Sequence, residues 1–141
     1  NWYVRHAERF KGLEADLISK LFDLRGYYSA LKVGIEQKAY EYTIKPTLSD
    51  EMRRRNDFFT IEELKDGGTA KNKRIEGLLP RFEAGTIYFK KDQTDLIDEL
   101  ITFPKSIHDD LSDALAHQLT LAIKPEGEWD EEEILTNSTD W

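Results

Sequence analysis

Leu31-Lys32-Val33-Gly34-Ile35-Glu36 sets apolar side chains at 31, 33 and 35 and closes on an acid. Alternation of that kind marks a strand with one face toward a core. Helical spacing lies on both sides of it. Upstream, Leu13, Leu17, Ile18, Leu21, Phe22 and Leu24 define an amphipathic helix over about 13–28. Downstream, residues 37–55 predict a second helix with a bend at Pro46. Strands alternating with helices point to an α/β layer structure. In such sheets ligand sites form at the carboxyl ends of strands, which is where Glu36 stands.

Working outward, Asn1 to about Phe10 reads as a strand, with Trp2, Val4 and His6 alternating against Tyr3 and Arg5, until Gly12 breaks it. Phe58-Phe59-Thr60-Ile61 is a short strand candidate, and Asp66-Gly67-Gly68-Thr69 reads as a turn. Thr69 is placed to cap a third helix over about 70–83, with Ile75, Leu78, Leu79 and Phe82 on its apolar face and Gly85 ending it. Thr86-Ile87-Tyr88-Phe89 is a further strand. Leu96, Ile97, Leu100 and Ile101 predict a short helix, and Leu111, Ala114, Leu115, Gln118, Leu119 and Ala122 the last one. The expected organisation is one domain over 1–123 and an acidic, flexible tail over 124–141.

With 141 residues the chain is long enough to bury a core. Cysteine is absent, which excludes disulfides and thiolate metal sites. No stretch approaches the roughly 18 apolar residues of a membrane span. The net charge of −8 disfavours non-specific nucleic-acid binding, although part of it sits in the run Glu126 to Glu133. Basic residues gather instead at Arg53-Arg54-Arg55 and at Lys71, Lys73 and Arg74. The second group opens a predicted helix, where the helix dipole disfavours cations, and so hints at an anionic partner. No phosphate-binding glycine loop, dinucleotide fingerprint, nucleophile elbow or zinc-ligand spacing is present.

The chemistry concentrates in Phe103-Pro104-Lys105-Ser106-Ile107-His108-Asp109-Asp110-Leu111-Ser112-Asp113-Ala114-Leu115-Ala116. Asp109, Asp110 and Asp113 fall within five residues and repel one another unless a cation or solvent neutralises them. A strand-end acid combined with helix-borne acids is how a divalent-metal site for phosphodiester cleavage is commonly assembled. At about 100° per residue, Asp110 lies at the edge of the stripe formed by Leu111, Ala114, Leu115, Gln118 and Ala122. Asp109 and Asp113 lie nearer the solvent pole. That geometry ranks Asp110 first as a metal ligand, Asp113 second and Asp109 third. Asp110, Asp113 and His117 share one flank. A competing, purely structural account is a capping box from Ser106 to Asp109 with acids favoured by the helix dipole. His6 and His117 read as surface or half-buried residues, and His108, beside the acids, as a weaker site candidate.

Four blocks in order carry a family resemblance. They are Val33-Gly34-Ile35-Glu36; Glu51 to Asn56 running into Phe58 to Leu64; Lys71 to Gly85 followed by Ile87-Tyr88-Phe89; and Leu100 to Ala116. The chain resembles the C-terminal nuclease domain of the large terminase subunit of tailed bacteriophages and prophages. The resemblance implies a ribonuclease H-like mixed sheet flanked by helices. It also implies metal-dependent endonucleolytic cleavage of double-stranded DNA. Glu36 matches the acid that ends a later strand of that family, and Asp109, Asp110 and Asp113 match the last-helix acids. The family's first acid, on an opening strand of the type apolar-apolar-Gly-x-Asp, has no match. Trp2-Tyr3-Val4 would correspond to the third strand, so the fold is expected to be N-terminally incomplete and cut from something longer.

The resemblance implies two Mg²⁺ or Mn²⁺ ions held by Glu36, Asp110, Asp113 and Asp109, with Lys71, Lys73 and Arg74 on the DNA backbone. Implied partners are double-stranded DNA, an upstream ATPase motor domain of the same parent chain, and the portal and small terminase subunit. No membrane partner is implied, and the implied compartment is the bacterial host cytoplasm. Two other readings of the residues stay open: a docking module without chemistry, and a related resolvase or integrase core.

Overall fold

Two pairs of parallel strands supply the β-structure of the computed structural model, which describes residues 1–65 and 70–122. The fold is mixed α/β, as the alternation of patterns predicts. The chain divides into two compact units, Arg9–Thr69 and Asn1–Glu8 with Ala70–Trp141. The expected turn at Asp66–Thr69, its Thr69 cap and the tail over 124–141 lie outside the described residues.

In the Arg9–Thr69 unit, α1 (Glu14–Tyr28) runs close to its predicted span and ends on Ser29 in the left-handed region, φ 53°. Strand β2 (Lys32–Glu36) pairs in parallel with β3 (Thr60–Leu64), in the register Lys32↔Thr60 through Glu36↔Leu64. Parallel neighbours need a crossover. Here it is α2 (Gln37–Ala39), a π-helical segment (Tyr40–Ile44) and α3 (Lys45–Arg55). Pro46 sits in the first turn of α3. Its missing N–H breaks the regular ladder there, and the wider π turn precedes the restart. The expected bend is therefore a change of helix type.

Strand β3 starts two residues later than the Phe58–Ile61 expectation, because the preceding residues are committed to packing. Phe59 meets Phe22 edge-on at 5.2 Å, and the Arg25 guanidinium lies 4.8 Å from the Phe59 ring centre. Arg25 also clamps Asp57, donating to both carboxylate oxygens at 2.8 and 3.0 Å. The core of this unit is Ile18, Phe22 and Leu48, flanked by Ile35 and Ile61 from the two strands.

In the other unit, β1 (Trp2–Tyr3) pairs in parallel with β4 (Ile87–Tyr88). The strand predicted over 1–10 is thus two residues long. Beyond it, side chains take over the backbone acceptors: Gln93 Nε2 donates to the Val4 carbonyl at 2.6 Å and Lys90 Nζ to that of Arg5 at 3.0 Å. The helix predicted over 70–83 is split into α4 (Lys71–Glu76) and α5 (Leu79–Glu83). Pro80, in the first turn of α5, has no N–H to continue the ladder and suits a helix start instead. Gly85, at φ +67°, ends α5 in the conformation only glycine adopts freely.

Helix α6 (Thr94–Thr102) and helix α7 (Asp110–Leu121) complete the unit. Leu111, Leu115 and Ala116 of α7 pack with Ile75, Leu78, Ile87 and Leu96 into one core. Leu78 is fully buried in it.

Candidate metal centre

Helix α7 begins at Asp110, one residue after Asp109 in the N-cap position, and no side chain caps it locally. The Ser106–Asp109 capping box does not form. Ser106 Oγ donates instead to the His108 carbonyl. The helix start is held from outside by Glu99 of α6, which is buried. Its Oε1 accepts from Ser112 N at 3.1 Å and from Ser112 Oγ at 3.2 Å. An anionic acceptor satisfies an otherwise orphaned first-turn N–H and complements the helix dipole.

Glu99 has a second effect. With Ser112 turned toward α6, the buried arc of α7 is rotated by about 100°, one residue along the helix, from the apolar stripe. Ser112, Asp113, Ala116 and His117 are buried, whereas Ala114 and Gln118 are exposed. This changes the expected placement of the acids. The Asp113 side chain is 5% exposed, that of Asp109 40% and that of Asp110 78%. Asp113, expected toward the solvent pole, is the buried acid, and Asp110, expected at the core edge, faces water. His117, expected at the surface or half-buried, is also buried. His6 and His108 are exposed.

Two cations of α4 run beside these acids, also one turn apart. Lys71 Nζ contacts Asp109 Oδ1 at 2.8 Å and Asp110 Oδ1 at 3.0 Å. Partial burial alone would lower the pKa of this ammonium, but its bonds to Asp109 and Asp110 outweigh that and raise it above the ordinary lysine value. Arg74 holds Asp113 as a fork, Nε to Oδ1 at 3.0 Å and Nη2 to Oδ2 at 3.2 Å. The anionic neighbour of these first-turn cations is thus found inside the protein, on α7. Lys73 is exposed and makes no ion pair among the described residues.

One turn beyond Asp113, His117 Nε2 lies 3.6 Å from Asp113 Oδ2, too far for a hydrogen bond. It is buried with no hydrogen-bond partner among the described residues. A neutral imidazole nitrogen and a carboxylate oxygen, one helical turn apart, are suitable donors for a divalent cation. In the other unit, Glu36 closes β2 and precedes α2, is exposed, and makes no ion pair or side-chain hydrogen bond among the described residues. The Arg53-Arg54-Arg55 cluster ends α3, with Arg53 on Asp50 and Arg54 and Arg55 sharing Glu51.

Glu99 carries no signal in a one-dimensional pattern, since its role depends on α6 meeting α7. His117 did carry one: it stands four residues after Asp113, on the flank already noted. No family model, no curated protein and no solved structure matches the chain. Among the described residues, no helix is long and apolar enough to cross a membrane.

Proposed function

We propose that the chain is a ribonuclease H-like, metal-dependent endonuclease domain of the phage terminase large-subunit type, cleaving double-stranded DNA during genome packaging. The observation that carries the reading is the buried Asp113–His117 pair on the helix whose opening sequence shows the family pattern. A parallel strand ending on an acid, Glu36, that makes no ion pair among the described residues supports it. Asp113 and His117 would hold a divalent ion, and the resemblance implies Glu36 as a further ligand. Asp110 and Asp109 then become outer residues of the site. Two Mg²⁺ or Mn²⁺ ions, once bound, supply activation of the attacking water and stabilisation of the leaving 3′ oxygen. Lys73 is the cation left for a DNA phosphate, since Lys71 and Arg74 already meet carboxylates.

The test is plasmid nicking in Mn²⁺ by the parent chain that the resemblance implies. Glu36→Ala and Asp113→Asn are expected to abolish nicking with the fold intact, and Asp110→Asn to weaken it less. Undiminished cleavage by the first two variants would falsify the assignment.

One observation favours a second reading, a docking module without chemistry. Asp109 and Asp110 share Lys71 and Asp113 meets Arg74, so each acid has a cationic partner without an ion, although three carboxylates face two cations. Titration calorimetry separates the two, because a module of that kind releases no binding heat with Mn²⁺.

A further inference from the structure

The buried nitrogen of His117 is the least explained polar atom of α7. Burying an imidazole nitrogen without a hydrogen bond is unfavourable, and a helix surface offers many places where a histidine would stay wet. Among the described residues His117 Nε2 is nevertheless enclosed without a hydrogen-bond partner, and Asp113 Oδ2 lies 3.6 Å away. Two donors each about 2.1 Å from one ion stand roughly 3.0–3.4 Å apart. The observed spacing exceeds that by only a few tenths of an ångström. It is too long for a hydrogen bond and close to what a shared cation requires.

The chemistry of the donors selects the cation. Mg²⁺ takes oxygen ligands and gives up water reluctantly. Imidazole suits zinc-like and later first-row ions. From this pairing we infer that His117 is itself a metal ligand, chelating with Asp113 across one turn of α7. It biases the centre toward divalent ions of the Co²⁺, Ni²⁺ and Zn²⁺ class over Mg²⁺. This rests on the metal-dependent reading for the location of the site, but not on DNA cleavage. The Arg74 fork engages the two carboxylate oxygens of Asp113.

The three histidines of the chain make the test specific. His6 and His108 are exposed, so a His6→Gln/His108→Gln form leaves His117 as the sole imidazole. In that form, Zn²⁺ is expected to shift the ¹⁵N resonance of Nε2, and Co²⁺ to give a visible absorption band. Both signals should be absent with Mg²⁺. Calorimetry on the natural sequence is expected to show His117→Gln weakening Zn²⁺ binding by about tenfold or more, with Mg²⁺ binding changed less than twofold. An unmoved Nε2 resonance at saturating Zn²⁺ overturns the inference, even if His117→Gln fails to fold. So does a Zn²⁺ affinity that His117→Gln leaves intact. Cleavage in Mg²⁺ with a silent imidazole would leave the nuclease reading standing and remove this one. A Zn²⁺-shifted imidazole with no cleavage in any metal would do the reverse.

Discussion

At the first turn of α7, Lys71 meets Asp109 and Asp110 at the solvent boundary; one turn on, Arg74 meets Asp113 out of water. The two layers use the same two helices and similar distances, yet they differ in what breaking them does. An exposed pair exchanges one set of solvated charges for another, and its contribution is small. A buried carboxylate that loses its cation has nothing to replace it. The outer layer therefore behaves as surface chemistry and the inner one as part of the core. A cation bound at Asp113 would also have to act beside the Arg74 fork, a constraint that Asp109 and Asp110 do not impose.

The sharpest way to break this contrast is to remove each cation in turn. Arg74→Ala is expected to lower stability by about 3 kcal/mol, read as a lower urea midpoint at unchanged slope. Lys71→Ala should change it by less than about 1 kcal/mol. Equal losses would mean that the two layers are energetically one.

Next in size is the anchor behind the inner layer. Glu99→Ala leaves Ser112 N and Oγ without their acceptor, for about 1–3 kcal/mol. Glu99→Gln keeps an acceptor oxygen and should recover most of that in the same unfolding measurement. If the glutamine variant is as unstable as the alanine variant, the charge of Glu99, and not its hydrogen bonds, is what α7 needs.

The smallest expected effect belongs to the cluster of Glu51, Arg54 and Arg55 in the other unit. Hydrogen bonds from Arg54, then from Arg55, hold the Glu51 carboxyl at about 2, against an ordinary value of 4.5. A depressed carboxyl adds stability above its unfolded value and loses it as the group protonates. The stability gap between the natural sequence and Glu51→Gln should therefore be constant above pH 4.5 and close as the pH falls toward 2. A gap that widened on acidification would show that Glu51 is not stabilised by these arginines.

Much of the architecture was legible in the sequence. The apolar spacing of α1 and the alternation of β2 are dictated locally, by which face each element must bury, and both elements lie where that rule puts them. The failures have a common cause. The strand after Trp2 stops because Gln93 and Lys90, distant in sequence, bond the carbonyls of Val4 and Arg5. The face of α7 was misplaced because a hydropathy pattern treats Ser112, Asp113 and His117 as outward. Glu99 and Arg74 make it possible to bury the first two, and neither lies on α7. The burial of Asp109, Asp110 and Asp113 differs from the order their helical positions predict, since burial of a charge is decided by its partner.

The pairing of β1 with β4 has a consequence for synthesis. Trp2 and Tyr3 leave the ribosome before the Arg9–Thr69 unit, and Ile87 and Tyr88 follow only after that unit has been translated. That inner unit closes its own β2–β3 crossover with residues already available, so it is able to fold while the first strand waits. Such a long wait raises the entropic barrier to joining the ladder and leaves a short apolar segment open to wrong partners in the meantime.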